Sequence, residues 1–180
     1  MRIYVPATLD ELDSATTTAD AARWTLAPRP AHAVTKELEA ALPDEDEEGL
    51  EYAAAIEAAS DSLALVAARP GVPLQRVVVT VEVPDAAVGP AGADDDVAPS
   101  AVQVVRDVPE VAIVCVHVDE PEAAADVADV LAAADEENDA EETGAVGAES
   151  ESALDAALQR ITDRDLLWYD WSELGDIPRA

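Results

Sequence analysis

His117 and Asp119 stand two residues apart in HVDEPE (117–122), directly after the apolar run VAIVCV. Side chains at that spacing on a strand point to one face, and open α/β sheets commonly place ligands at the carboxyl ends of their strands. An imidazole beside a carboxylate can accept and return a proton, and the carboxylate alone can ligate a metal. His117 and Asp119 are therefore the candidate catalytic residues. A structural reading competes and is favoured: Asp119 is placed to cap the following helix, and His117 can be a core histidine bonded to backbone.

A second stretch with chemical promise is LPDEDEEGLEY (42–52), whose alternating acids resemble the front half of a helix–loop–helix calcium site. Counting from Asp44, Asp46 and Glu48 fall at ligand positions 3 and 5 and Gly49 at position 6. Position 12, which must supply a bidentate Glu, is Ala55, so the coordination sphere cannot close. The same residues suit a helix start, with Pro43 ending the element before, Asp44 as cap, and clustered acids at the positive end of the helix dipole. No metal site is expected, and no cofactor.

Aromatic side chains mark a third candidate. LLWYDWSEL (166–174) holds two of the three tryptophans, and Trp and Tyr are enriched where proteins bind one another. Trp168, Tyr169, Trp171 and, on the long helix, Tyr52 are candidate binding residues. The simpler use of the first three is to anchor the C-terminal segment. Cys115 lies inside an apolar strand pattern and reads as a packing residue, since a reactive thiol needs an electropositive, accessible setting. There is no glycine-rich phosphate loop, no nucleophile elbow, and no His pair or CxxC at metal spacing.

The whole chain carries 40 Asp and Glu against 10 Lys and Arg, a net charge of −30. Such a field repels polyanions and anionic membrane surfaces, which argues against nucleic acid and membrane partners and favours a protein with a basic surface. No apolar run approaches the roughly 20 residues of a membrane span, and MRIYVPATLDEL lacks the apolar core of a signal peptide. The expectation is a soluble cytoplasmic protein. Lys36 is the only lysine and Asn138 the only asparagine, a bias that suggests the GC-rich genome of an actinobacterium or a halophile.

The elements that must position these residues follow from pattern. RIYVPA (2–7) reads as a strand, and Thr8 with Glu11 fits a capping box opening a helix. RWTLAPRP (23–30), with two prolines, reads as loop; AHAVT (31–35) as a short strand; KELEAAL (36–42) as a helical turn or two. Tyr52, Ile56, Ala59, Leu63 and Val66 form one apolar helical face. RVVVTVEVP (76–84) alternates Val77, Val79, Val81 and Val83 against a more exposed face of Arg76, Thr80 and Glu82. VQVVR (102–106) is a short strand and VAIVCVHV (111–118) a central one covered on both sides. Helices follow, one with Ala123, Val127, Val130, Leu131 and Ala134 on one face, another marked by Leu154, Leu158 and Ile161.

The segments 85–100 and 135–151 are expected to be flexible acidic loops, being rich in acids, Gly and Pro or devoid of large apolar side chains apart from isolated valines. The sum is one domain over 1–180, α/β or α+β, with a mixed sheet of about four to five strands packed with helices.

MRIYVPAT, EGLEYAAAIEAA, RVVVTVEVPDAAV, VHVDE and LLWYDWSEL, in this order over nearly the whole chain, resemble the successive blocks of a family of acidic actinobacterial proteins of unknown function. The resemblance implies an actinobacterial cytoplasmic protein and carries no activity. Two functions remain. The favoured one is a soluble, non-enzymatic interaction module that docks a basic protein surface. The alternative is a small enzyme or ligand-binding protein with a pocket near His117, Asp119 and Tyr52. Nothing in the chain speaks to oligomeric state.

Overall fold

The structure, a computed structural model, describes residues 1–92, 97–143 and 148–180. Its centre is one sheet whose strands are β1 (Arg2–Ala7), β2 (Thr16–Thr17), β3 (Ala22–Leu26), β4 (Arg29–His32), β5 (Val77–Glu82), β6 (Val88–Pro90), β7 (Ala101–Val104), β8 (Val108–Val118) and β9 (Leu167–Asp170). The order is β2-β3-β8-β5-β1-β4-β7-β6, with β9 also on β8. Every pairing is antiparallel. The expected mixed sheet of four to five strands is thus corrected to nine antiparallel ones among the described residues.

One extra strand, β3, comes from the stretch expected as loop, and β4 is the short strand expected at 31–35, set two to three residues earlier. Ala22, Trp24 and Leu26 alternate inward along β3 while Arg23 and Thr25 face out, a period-2 pattern hidden by the prolines around it. Pro28 falls between β3 and β4. Pro30 sits within β4, whose only register contact with β1 is Tyr4 opposite His32, so a residue without a donor breaks no ladder on that side. β8 is long enough to serve two partners on one edge: β3 pairs Val108–Ala112, and β9 pairs Cys115–Val118.

The helices are α1 (Lys36–Ala41), α2 (Glu47–Ala68), α3 (Ala124–Thr143) and α4 (Ala148–Thr162). Asp46, rather than Asp44, caps α2, its carboxylate accepting from the Gly49 N–H at 3.0 Å. The box at Thr8 opens a 3-10 helix, Leu9–Ser14, with Glu11 accepting from the Thr8 N–H at 2.9 Å. Much of 135–151 is helical, since α3 runs to Thr143 and α4 starts at Ala148; Ala and Glu have high helix propensity. Residues 144–147 lie outside the described residues, as do 93–96. In the other segment expected as loop, a 3-10 turn (Asp85–Ala87) and β6 add an edge to β7.

Alternation divides the core. Ile3, Val5, Ala7, Val77, Val79, Val81, Val116 and Val118 pack on one side of the sheet with Trp24, Leu26 and Ile177. The other side, carrying Tyr4 and Val78, lies under α2. Of the β5 face expected to be more exposed, Arg76 and Thr80 are buried, with Val78 between them, and only Glu82 at the end of the strand is exposed. α2 approaches the sheet through Leu50, Ala54, Ala58, Ala59, Ser62 and Val66, mostly small residues that let the helix lie close. Tyr52 is left 62% exposed and Ile56 only half-buried. Of the apolar face expected on this helix, Ala59 and Val66 are buried, whereas Tyr52 and Ile56 are displaced from the core by Leu50, Ala54 and Ala58. Val66, Val127, Val130, Ala157 and Ile161 close a third cluster between α2, α3 and α4.

Candidate functional site

Strand register brings the relevant side chains together. His117 on β8 stands opposite Val78 on β5 and opposite Trp168 on β9, and directly opposed residues share a face. That face is the one α2 crosses. α2 packs over β1, β4 and β5, so the β8–β9 end of the sheet extends past it. The result is a groove of about 630 Å³ between the N-terminal half of α2 and the segment entering β9, a size typical of binding sites.

One wall is α2, contributing Asp46, Glu48, Glu51, Tyr52 and Ile56; the other is Asp165, Leu166 and Trp168, with Tyr4 and His117 between them. Trp168 is 58% exposed. Three of the six aromatic residues in the chain thus meet at one groove with its second histidine. The electrostatics are one-sided. Glu51 is held by Arg2, whose Nη1 donates to both carboxylate oxygens at 3.0 and 3.2 Å. Glu48 and Asp165, on opposite walls, have no ion-pair partner among the described residues. Burial, reinforced by the Glu51 carboxylate, pushes the Tyr4 phenol well above its ordinary value, so it stays protonated.

His117 is held neutral as well, because burial lowers its basicity. Its Nδ1 is sealed from solvent without a hydrogen-bond partner, and so is the Thr80 hydroxyl on the neighbouring strand. The expected pairing of His117 with Asp119 does not occur. Asp119 is 1% exposed and belongs to Arg76: its carboxylate accepts from the Arg76 backbone N–H at 2.8 Å, from Nε at 3.0 Å and from Nη2 at 2.8 Å. Nor does it cap a helix; Glu120 precedes the 3-10 turn Pro121–Ala123, and no side chain caps it.

The aromatic cluster at the C terminus divides between two tasks. Tyr169 and Trp171 are partly buried against the main core, while Trp168, on the opposite side of β9, faces the groove. Cys115 is buried on β8. Among the described residues, no three His, Cys, Asp or Glu side chains are placed to hold a metal ion.

Sequence reasoning missed one constellation altogether. His32 donates or accepts at both ring nitrogens, Nδ1 to Ser100 Oγ at 2.8 Å and Nε2 to Asp61 Oδ2 at 3.1 Å. The order Ser–His–Asp matches that of a hydrolase triad, but the exposure is inverted. The serine is fully buried and the aspartate half exposed, whereas a nucleophile must meet its substrate. The chain instead ties β4 to α2 and to the loop before β7. Positions 32, 61 and 100 share no motif, so only the fold could reveal it.

The chain belongs to a family of unknown function, DUF6912, whose model matches residues 1–177. No curated protein and no solved structure matches it. No helix among the described residues is long and apolar enough to cross a membrane.

Proposed function

We propose that the protein is a non-enzymatic binding module that docks a positively charged segment of another protein in the groove between α2 and β9. The observation that carries this reading is the pairing of two exposed aromatic rings, Tyr52 and Trp168, with carboxylates on both walls, Glu48 and Asp165. Aromatic faces attract cations, and a strongly negative chain accelerates encounter with a basic partner. Catalysis is not favoured, because the titratable groups at the groove are poorly matched to proton transfer. His117 lacks the acidic partner proposed for it, and the Tyr4 phenol is held protonated.

The reading is tested by titrating the protein with an amidated peptide of alternating Lys, Arg and Gly residues, and with its Glu-for-Lys/Arg counterpart. The basic peptide should bind and the acidic one should not. The double variant Tyr52→Ala/Trp168→Ala keeps the charge of the protein and should lose at least tenfold in affinity. Unchanged affinity in that variant means that the peptide answers only to the general field, and the docking site is then not this groove.

A further inference from the structure

We infer that the cationic group the groove accepts is a guanidinium, so that the docked segment presents an arginine rather than a lysine. This rests on the docking reading above and specifies its ligand. The two cations differ in shape. A guanidinium is planar, weakly hydrated and forked, so one face can lie on an aromatic ring while its edge donates to a carboxylate; an ammonium is compact and strongly hydrated and gains less from a flat ring. The groove offers flat surfaces, Trp168 and Tyr52, with Glu48 and Asp165 open beside them.

The protein contains one internal version of this recognition, at Arg29, and its carboxylate half again at Arg2. Arg29 holds its guanidinium carbon 5.8 Å from the centre of the Trp24 ring while Nη1 and Nη2 donate to the Glu11 carboxylate at 3.1 and 3.3 Å. That is a tryptophan and a carboxylate around one guanidinium, the residue types that Trp168 and Asp165 place along one wall of the groove. At the other wall, Arg2 Nη1 donates to both oxygens of Glu51, which lines the groove with Glu48, so an acid of that wall already accepts a guanidinium. The single lysine, Lys36, opens α1 outside the groove.

Three amidated peptides of equal length, alternating Gly with arginine, lysine or citrulline, provide the test. Citrulline keeps the planar shape of arginine without its charge. Binding is followed at the Trp168 indole N–H by NMR in wild-type protein, in Trp168→Ala by calorimetry, and in Trp168→Phe, which keeps an aromatic face. The arginine peptide should bind about tenfold or more tighter than the lysine peptide, the citrulline peptide should not bind measurably, and Trp168→Ala should bring the arginine peptide down to the level of lysine while Trp168→Phe keeps a clear preference. Equal affinity of arginine and lysine peptides, both dependent on Trp168, would overturn the choice of arginine and leave the docking reading standing. Affinities that ignore both Trp168→Ala and Tyr52→Ala would remove the docking reading itself.

Discussion

Asp119 and Arg76 form a buried ion pair in which one carboxylate accepts from the backbone and from both Nε and Nη2 of the same arginine. The pair fastens the end of β8 to the start of β5, and Arg76 Nη2 also donates to the carbonyl of Arg164 at 3.1 Å, just ahead of β9. The strand that bears Trp168 is thus positioned by a contact whose residues do not line the groove.

Removing one member of such a pair leaves an uncompensated charge in the interior. Asp119→Ala should lower stability by about 3–5 kcal/mol, read from urea denaturation, and Asp119→Leu combined with Arg76→Met should recover most of the loss. A single variant as stable as the wild type would show that water reaches Arg76 and that the pair is not sealed.

That same residue shows how far sequence pattern reached. Asp119 was legible as structural, yet its task was read as a cap because the partner, Arg76, lies 43 residues away and its strand neighbour is set by register. β1, β5, β7, β8, α1 and α2 were legible because their apolar residues repeat at local period. β3 was not, since the prolines beside it mask the alternation, and β4 was legible only with its bounds displaced, at 31–35 instead of Arg29–His32. Tyr52, His117 and Trp168 were each legible as single candidates. A pocket near His117 and Tyr52 was among the sequence expectations; that Trp168 joins them and Asp119 does not depends on strand register and on how closely Ala54, Ala58 and Ser62 let α2 approach the sheet. Glu48 was read only as a helix-start acid, which it is, and its second position on the groove wall needed the fold.

At the start of α2, the cap prediction moves by two residues. Asp46→Ala should cost about 0.5–2 kcal/mol, the range for lost helix caps, because the Gly49 N–H loses its acceptor. Asp44→Ala, outside the helix, should change stability by less than about 0.5 kcal/mol. Thermal melts of the two variants side by side decide the assignment; a larger effect at Asp44 would reverse it.

His117 provides a prediction about pH. Its folded-state basicity is lowered by burial, so the folded protein resists protonating it while the unfolded chain takes up the proton near the ordinary value of about 6.5. Its contribution to stability is therefore complete above that value and is lost as pH falls toward the lower folded value. Wild-type protein should lose more stability than His117→Phe between pH 7 and pH 5, after the shared carboxylate background is subtracted. Equal slopes would mean that the ring is solvated.

Tyr52 and Trp168 are spent on the surface rather than in the core. Tyr52→Ala and Trp168→Ala should each shift stability by no more than about 0.5–1 kcal/mol, while Tyr169→Ala and Trp171→Ala, whose rings pack on the main core, should cost clearly more. Denaturant midpoints of the four variants test this division. Comparable losses at Trp168 and Trp171 would assign Trp168 to anchoring and weaken its part in binding.

The most direct test of the docking groove is an amide and indole chemical-shift map during titration with the amidated arginine–glycine peptide. The predicted perturbations concentrate at Glu48, Tyr52, Ile56, His117, Leu166 and Trp168, with the Trp168 indole N–H moving furthest and the Trp24 indole, bonded to Ser14 at 3.0 Å, unmoved. Shifts spread along the acidic stretch of α3 from Asp126 to Asp139, with the Trp168 indole unchanged, would contradict the account and leave the groove without a ligand.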